Sequence, residues 1–354
     1  MSATQPLAGP DGETRPAAGP GEAPVRIAVM GTADIARRRM LPAMAAAPET
    51  ALVAVASRDR DRAAALTREY GCAAVEGYQE LLERPGVDAV YVPLPVALHA
   101  EWVERALLAG KHVLAEKPLT ADPHRTAALL ALARERGLVL MENVMFLHHP
   151  QHAVVRELLG SGAIGELRSF SAAFAVPPPP AGNIRHRPDL GGGALLDIGY
   201  YPVRAALHFL GADVEVVGAC LEYGPGSAVD TSGAVLVRTP DGVTGHLTFG
   251  MAHAYRSAYE LWGSEGRIRV EPAFTPPADH QPVLRVTGPA ERRELRLSPH
   301  DQVAATLRAF VRAVRSGTGG APRGARSLRQ AELLEAVRRT AGARRPGLVA
   351  APPP

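Results

Sequence analysis

Between Val25 and about residue 145 the chain alternates short apolar runs with helical stretches, and few folds accept that rhythm. Val25-Arg26-Ile27-Ala28-Val29-Met30 predicts a strand, and residues 34–47 a helix. Strand 51–56 and helix 60–70 follow. Ala89-Val90-Tyr91-Val92 is a further strand, then come helix 99–109, strand 111–115, helix 124–136 and strand 139–141. This βαβα order argues an α/β, Rossmann-like unit, with a parallel, doubly wound sheet and helices on both faces.

After residue 150 the texture changes. A helix over 151–159 leads into strand-like segments at 167–176, 214–222, 234–238, 244–249 and 259–262, rich in β-branched and aromatic residues. Asp241-Gly242 sits between two of them as a hairpin signal. The expectation is an α+β unit with a large, mostly antiparallel, open-faced sheet covered by helices on one side. Helices at 299–315 and 328–340 close it. Pro177 to Pro180 cannot lie in a central strand and predict a surface loop near the site. The expected organisation is a disordered tail over 1–24, a nucleotide-binding unit over 25–145, a substrate-binding and oligomerisation unit over 146–345, and a second loose tail over 346–354.

Composition narrows the function classes. Hydrophobic residues at 46% and charged residues at 21% describe an ordinary globular protein, without an apolar run long enough to span a membrane. The net charge of +3 comes with scattered arginines, and no nucleic-acid motif accompanies them. The two cysteines, Cys72 and Cys220, lie far apart with no metal or redox spacing. With no secretory signal, a cytoplasmic protein is expected.

Gly31-Thr32-Ala33-Asp34-Ile35-Ala36 follows the first strand and opens a helix. It is a degenerate dinucleotide fingerprint, with alanines where the second and third glycines stand. Gly31 permits the tight turn, Ala33 is small enough for a pyrophosphate to approach, and the helix start offers N–H donors. The second strand ends in Ser57-Arg58, with no acid there to hold a ribose 2′-hydroxyl. A hydroxyl and a guanidinium suit a 2′-phosphate, and Arg37 or Arg38 on the preceding helix can add a cation, so NADP(H) is favoured over NAD. Asp59 is the nearby acceptor that would argue the other way. Pro93-Leu94-Pro95 and His99 close another strand at the same sheet edge and are expected to line the nicotinamide ribose.

Two motifs carry the chemistry. Glu116-Lys117-Pro118 puts a lysine at the end of a buried strand, where partial desolvation lets its charge act on a substrate. Gly191-Gly192-Gly193-Ala194-Leu195-Leu196-Asp197-Ile198-Gly199-Tyr200-Tyr201 brings glycines into a helix on which Asp197 and Tyr201 are four apart and share a face. Arg204 and His208 continue that polar stripe, which should face a pocket or an interface. An ammonium near Tyr201 is expected to lower its pKa, fitting a proton donor to a forming alkoxide. Three histidines, His148, His149 and His152, stand close together, but no carboxylate or cysteine sits at ligand spacing, so no metal is expected.

With both motifs present, the chain resembles the glucose–fructose oxidoreductase / inositol dehydrogenase / MocA family over about residues 25–340. The resemblance implies that Lys117, Asp197 and Tyr201 form the catalytic group. It also implies a cofactor site of Gly31, Thr32, Ala33, Asp34, Ile35, Ser57, Arg58, Arg38, Pro93, Leu94, His99, Glu116, Lys117, Asn143 and Arg187. Met141 to His152 and Asn183-Ile184-Arg185-His186-Arg187-Pro188 are similar to the NDP-hexose 3-ketoreductases of deoxysugar biosynthesis in actinomycete natural-product pathways. Those enzymes use NADPH on the 3-keto group of a nucleotide-linked 3,4-diketo-2,6-dideoxyhexose. The likeness implies a nucleotide-sugar substrate, dTDP-linked, met by Phe146, His148, Asn183 and Arg185, with Arg185 and Arg187 near a diphosphate. It also implies a homodimer or homotetramer built through the second sheet. Two other readings share the fold: a dehydrogenase of a free sugar, inositol or dihydrodiol, and a non-catalytic NADP-binding regulator. The regulator reading predicts loss of the lysine and tyrosine, and both are present.

Overall fold

The computed structural model describes residues 23–289, 291–317 and 321–342. The tails expected at 1–24 and 346–354 lie outside the described residues, apart from Ala23 and Pro24. Six strands form the first sheet: β1 (Val25–Met30), β2 (Thr50–Ser57), β3 (Ala73–Glu76), β4 (Ala89–Val92), β5 (His112–Glu116) and β6 (Leu140–Asn143). All are parallel, in the order β3-β2-β1-β4-β5-β6. The helices between them are α1 (Leu41–Ala46), α2 (Arg60–Tyr70), α3 (Tyr78–Glu83), α4 (His99–Leu108) and α5 (Pro123–Glu135). A π-helical turn over Ala36–Met40 precedes α1.

Strand periodicity explains why helices cover both faces. Ile27, Val29, Ala89, Tyr91 and Leu114 point into one apolar layer with Met40, Leu41 and Met44. Their neighbours Ala28, Met30, Val90, Val92 and Val113 point into the other, with Val103, Ala106 and Leu129. Alternate residues leave a strand on opposite faces, so a strand apolar at every position needs two covers. The helix ends follow local chemistry. Asp59 caps α2 by accepting from the amides of Asp61 and Arg62, and Asp122 with Pro123 opens α5. Such caps contribute about 1 kcal/mol each.

The second sheet has eight strands: β7 (Leu167–Ala175), β8 (Glu215–Glu222), β9 (Ser232–Arg238), β10 (Thr244–Gly250), β11 (Arg256–Gly263), β12 (Arg267–Val270), β13 (Val283–Thr287) and β14 (Arg292–Arg296). Their order is β14-β13-β12-β11-β7-β10-β9-β8, antiparallel except for β7 beside β10. Asp241-Gly242 does turn the β9–β10 hairpin, with Gly242 at φ +94°. The remaining helices are α6 (Gln151–Gly160), α7 (Tyr200–Leu210), α8 (Gln302–Ser316) and α9 (Ala321–Gly342). Helix α7 carries Val203, Ala206 and Leu207 onto the inner face, against Phe170, Leu247 and Phe249, and α9 adds Leu333, Leu334 and Val337. The outer face alternates to exposed residues such as Leu236 and Trp262.

Two connections tie the sheets together. Helix α8 follows the second sheet in sequence but buries Val303, Leu307, Phe310 and Val311 in the layer under β1 and β4. Helix α9 packs on β8, α7, α5 and β6, touching both sheets. Among the described residues no helix is long and apolar enough to cross a membrane, and no group of three or more His, Cys, Asp or Glu is placed to hold a metal ion.

Candidate active site

Strand order reverses between β1 and β4, and a doubly wound sheet binds its ligand in the crevice at that point. Gly31 leaves β1 with φ +121°, and a Cβ on it would stand 3.0 Å from Leu94 Cδ2. Only glycine therefore lets this turn lie on Pro93 and Leu94, with backbone open to a ligand. Thr32, Ala33 and Ile35 follow, partly buried. Asp34 is exposed and paired with Arg37 at 2.9 Å and Arg38 at 2.7 Å, each worth at most about 1 kcal/mol. At the end of β2, Ser57 is buried and Arg58 exposed. Arg58 lies beside the Tyr78 hydroxyl, opposing the rise in pKa that burial gives that phenol. Asp59 is engaged in capping α2 at 3.0 and 3.2 Å and in a pair with Arg62. The acid nearest the strand end thus serves a helix, and the rim keeps a cation suited to a 2′-phosphate.

The reactive end is assembled from the turn after β5, the start of α7 and the loop before α7. After β5 the chain turns through Lys117-Pro118, whose peptide bond is cis. Lys117 Nζ donates to Asp197 Oδ1 at 2.8 Å and to the Asp197 carbonyl at 2.9 Å, across eighty residues of sequence. Arg185 Nε donates to the other carboxylate oxygen, Oδ2. Burial pushes the Asp197 carboxyl up, but Lys117 and Arg185 outweigh it and hold it well below the usual carboxylate range. Burial lowers the Lys117 pKa, yet Asp197, Tyr201 and Glu116 more than reverse this, so the amine stays an ammonium. The ammonium thus keeps its charge where only 11% of the lysine side chain meets solvent. Such a charge in a site of low dielectric acts strongly on a developing oxyanion.

Tyr201 lies with its ring 5.0 Å from Lys117 Nζ. Phe174 at 4.8 Å, Phe274 at 5.8 Å and Phe146 at 6.0 Å hold the ring from other sides. The tyrosine departs from the sequence expectation in one respect. Lys117 does lower its pKa, but burial raises it more, and the phenol ends above its ordinary value. Tyr201 therefore keeps its proton at neutral pH, as a donor must.

Asp197 lies in a π-helical turn, Leu195–Gly199, that opens α7. Its first amides are satisfied from a distance: Ala194 N donates to the Asp230 carbonyl at 2.8 Å and Leu195 N to Asp230 Oδ2 at 2.6 Å. Gly193, at φ +118°, lets Asp230 come this close, since a Cβ would strike its carboxylate. Glu116 accepts from the Tyr91 hydroxyl and from Asn143 Nδ2, each at 2.6 Å. Asn143 Oδ1 is left buried without a protein partner, an acceptor open to a ligand amide.

Other sequence-nominated residues sit differently. His99 is buried, with Nε2 at 2.7 Å from the Leu94 carbonyl and Nδ1 at 2.9 Å from the Pro118 carbonyl. Both nitrogens face backbone, so it ties two turns together and does not line the ribose. Phe146 is fully buried behind Tyr201, between His152 and Phe274, so it supports the phenol and does not meet substrate. Asn183 Oδ1 accepts from the Arg185 amide at 3.0 Å and shapes the loop. Arg187 is exposed and paired with Asp189. His148 is partly buried, whereas His149 and His152 are buried, the latter 2.8 Å from the Tyr259 hydroxyl. Arg204 faces an interface, pairing with Glu142 at 3.6 Å. Sequence reading gave no role to Asp230 or Glu142. Each acts on a partner far along the chain, and only a charge among apolar neighbours marked them.

The oxidoreductase-family model with an NAD-binding Rossmann fold (GFO_IDH_MocA) matches residues 25–144, and the GFO/IDH/MocA C-terminal domain model matches 152–269. A dTDP-3,4-didehydro-2,6-dideoxy-alpha-D-glucose 3-reductase of Actinomadura kijaniata is 56% identical over 315 residues, spanning 89% of this chain and 95% of that protein. One of the same name from Saccharopolyspora spinosa is 54% identical over 320 residues, spanning 89% and 96%. The crystal structure of KijD10, a 3-ketoreductase from Actinomadura kijaniata in complex with NADP and TDP-benzene, superposes with a TM-score of 0.88 at 55% identity, covering 90% of this chain and 98% of that one.

Proposed function

This chain belongs to the GFO/IDH/MocA oxidoreductase family, and from that premise we propose that it reduces the 3-keto group of dTDP-3,4-didehydro-2,6-dideoxy-alpha-D-glucose with NADPH. The observation that carries the reading is the cluster of Lys117, Asp197, Arg185 and Tyr201, which brings the turn after β5, the start of α7 and the loop before it together, with His99 tying the Lys117-Pro118 turn to Leu94, on which the Gly31 turn lies. The match to the two reductases over nearly nine-tenths of the chain supports the substrate.

The residues present fit the cofactor. The Gly31 turn, bare of a Cβ, and the helix after it would hold the pyrophosphate. Arg58, joined by Arg38 once it leaves Asp34, would hold the 2′-phosphate. Asn143, with its open carbonyl oxygen, and Glu116 would fix the nicotinamide end. When bound, NADPH supplies the hydride that adds to the ketone carbon. Lys117 stabilises the negative charge that then develops on the ketone oxygen. Tyr201 gives that oxygen its proton, and the phenolate is reprotonated from solvent. Asp197 orients the amine through two hydrogen bonds, and Arg185 fixes the second carboxylate oxygen. Arg187, exposed beside Asp189, and the part of Arg185 not held by Asp197 would meet a diphosphate, of the substrate or of the cofactor.

A second copy of the chain covers the outer face of the second sheet, where Trp262 is 62% and Val217 44% exposed. Cys72 and Cys220 are free thiols, and a reducing cytoplasm suits them.

The test is a substrate panel. NADPH consumption with the dTDP-linked diketo sugar is expected, with no activity on free xylose, inositol or a dihydrodiol. Turnover confined to the free compounds would sink the reading. Sedimentation of the native chain against Trp262→Glu tests the assembly; an unchanged native oligomer in the variant would remove that face from it.

A further inference from the structure

Glu142 stands near the end of β6 with its side chain 2% exposed, yet no ligand chemistry asks for a carboxylate there. Its two oxygens reach different parts of the molecule. Oε1 accepts from the Leu119 amide at 2.8 Å, two residues beyond Lys117. Oε2 accepts from the Ser327 hydroxyl of α9 at 2.6 Å and lies 3.6 Å from Arg204 Nη1. Arg204 is one helical turn beyond Tyr201, with its side chain 5% exposed. The same guanidinium donates to the Arg326 carbonyl at 2.8 Å, and Gln330 of α9 donates to the Tyr200 carbonyl at 3.0 Å.

We propose that Glu142 is a positioning residue for the reductase reaction. It joins the turn that carries the Lys117 amine to the helix that carries the Tyr201 phenol. The inference rests on the ketoreductase reading given above. A buried ion pair is a poor device for stability, because apolar residues of similar volume often do as well or better. It is a good device for register. Hydrogen bonds and charge fix Leu119, Arg204 and Ser327 around one carboxylate, where apolar contacts would let each slide. One catalytic group follows a strand of the first sheet and the other stands on α7; they share no direct hydrogen bond, so their spacing needs such an outside reference. A displacement of about 1 Å in a reacting group can cost about 10²-fold in turnover.

The test separates position from stability. Glu142→Gln keeps an oxygen for the Leu119 amide and removes the charge. Glu142→Leu combined with Arg204→Met replaces the whole pair by apolar volume, so no unpaired charge stays buried. Thermal midpoint, NADPH affinity by fluorescence titration, kcat and KM are measured on each, with kcat referred to NADPH-binding sites. For the double variant we expect a thermal midpoint a few degrees below that of the native chain, because the Leu119 amide and the Ser327 hydroxyl lose their acceptor, with NADPH affinity within about twofold and kcat about 10²-fold lower. Glu142→Gln should lie between. A double variant with native kcat overturns the proposal, as does a kcat that falls only in step with NADPH affinity. Should the double variant fail to fold, Glu142→Gln decides on the same criteria. If the native chain has no activity on the sugar nucleotide, the ketoreductase reading fails separately. The placement is then read from crystal structures of native chain and Glu142→Gln: a Lys117–Tyr201 separation changed by about 1 Å supports it, and an unchanged one overturns it.

Discussion

At the reactive end of the crevice Lys117 and Asp197 are largely buried and bonded to each other, whereas at the dinucleotide rim Asp34, Arg37 and Arg38 are 67%, 54% and 65% exposed. Both ends use the same residue types. Burial makes the difference. Breaking a buried pair costs about 3–5 kcal/mol, because the survivor is left charged in a poor solvent. Breaking an exposed pair costs about 0–1 kcal/mol. The reactive charges are therefore fixed before any ligand arrives. The rim charges can be handed to an incoming phosphate at little cost.

That contrast can be broken by experiment. Lys117→Met should lower kcat by about 10³-fold while NADPH affinity, by fluorescence titration, changes little. A parallel loss of NADPH binding would mean that the two ends are not separate. Acid gives the next effect. Burial, with neighbouring His300 and His280, holds His149 at about 4, and burial with three arginines holds His208 at about 4, against an ordinary 6.5. Below pH 6.5 the unfolded chain binds a proton at each, and the native chain does not until about 4. Stability is thus full above pH 6.5 and drains as pH falls to about 4, by about 1.4 kcal/mol per pH unit for each histidine. Asp197 stays ionised throughout. The thermal midpoint should fall from pH 7 to pH 4.5, and kcat of the molecules still folded should hold; kcat falling first would place the titrating group in the reactive cluster. Tyr201→Phe should cost about 10²-fold in kcat with KM for NADPH unmoved. Native turnover in that variant would make Lys117 the donor. Arg58→Ala, at the rim, should raise KM for NADPH about tenfold and leave NADH unaffected. An equal rise for both would take Arg58 away from the 2′-phosphate.

Much of this was legible in the sequence, for reasons that differ along the chain. β1 and β4 are apolar at nearly every position, so their place in a parallel sheet was plain. β3 is four residues ending in glutamate, and α3 a turn and a half behind it, too short for periodicity to show. β12 alternates Arg267 and Arg269 with the buried Ile268 and Val270 but is only four residues long, and β14 is largely arginine and glutamate, a strand by its pairing with β13. β7 beside β10, the parallel pair in an antiparallel sheet, follows from chain order and not from pattern. In the site, Lys117 and Asp197 announced themselves through their motifs. The burial that raises the Tyr201 pKa did not, because it comes from Phe174 and Phe274, distant in sequence. His99 and Phe146 looked like ligand contacts because they stand in the right segments, and only the packing shows them turned into the protein.

The path of α8 has a consequence for how the gene can be cut. The first sheet takes four large apolar side chains from a helix encoded after all eight strands of the second sheet. A fragment ending near residue 145 would leave that stripe of β1 and β4 bare to water, however complete its nucleotide motif. Swapping this half with that of a relative therefore means transplanting residues 302–316 along with it. On a ribosome, the early half must wait for late sequence to emerge before its interior can close.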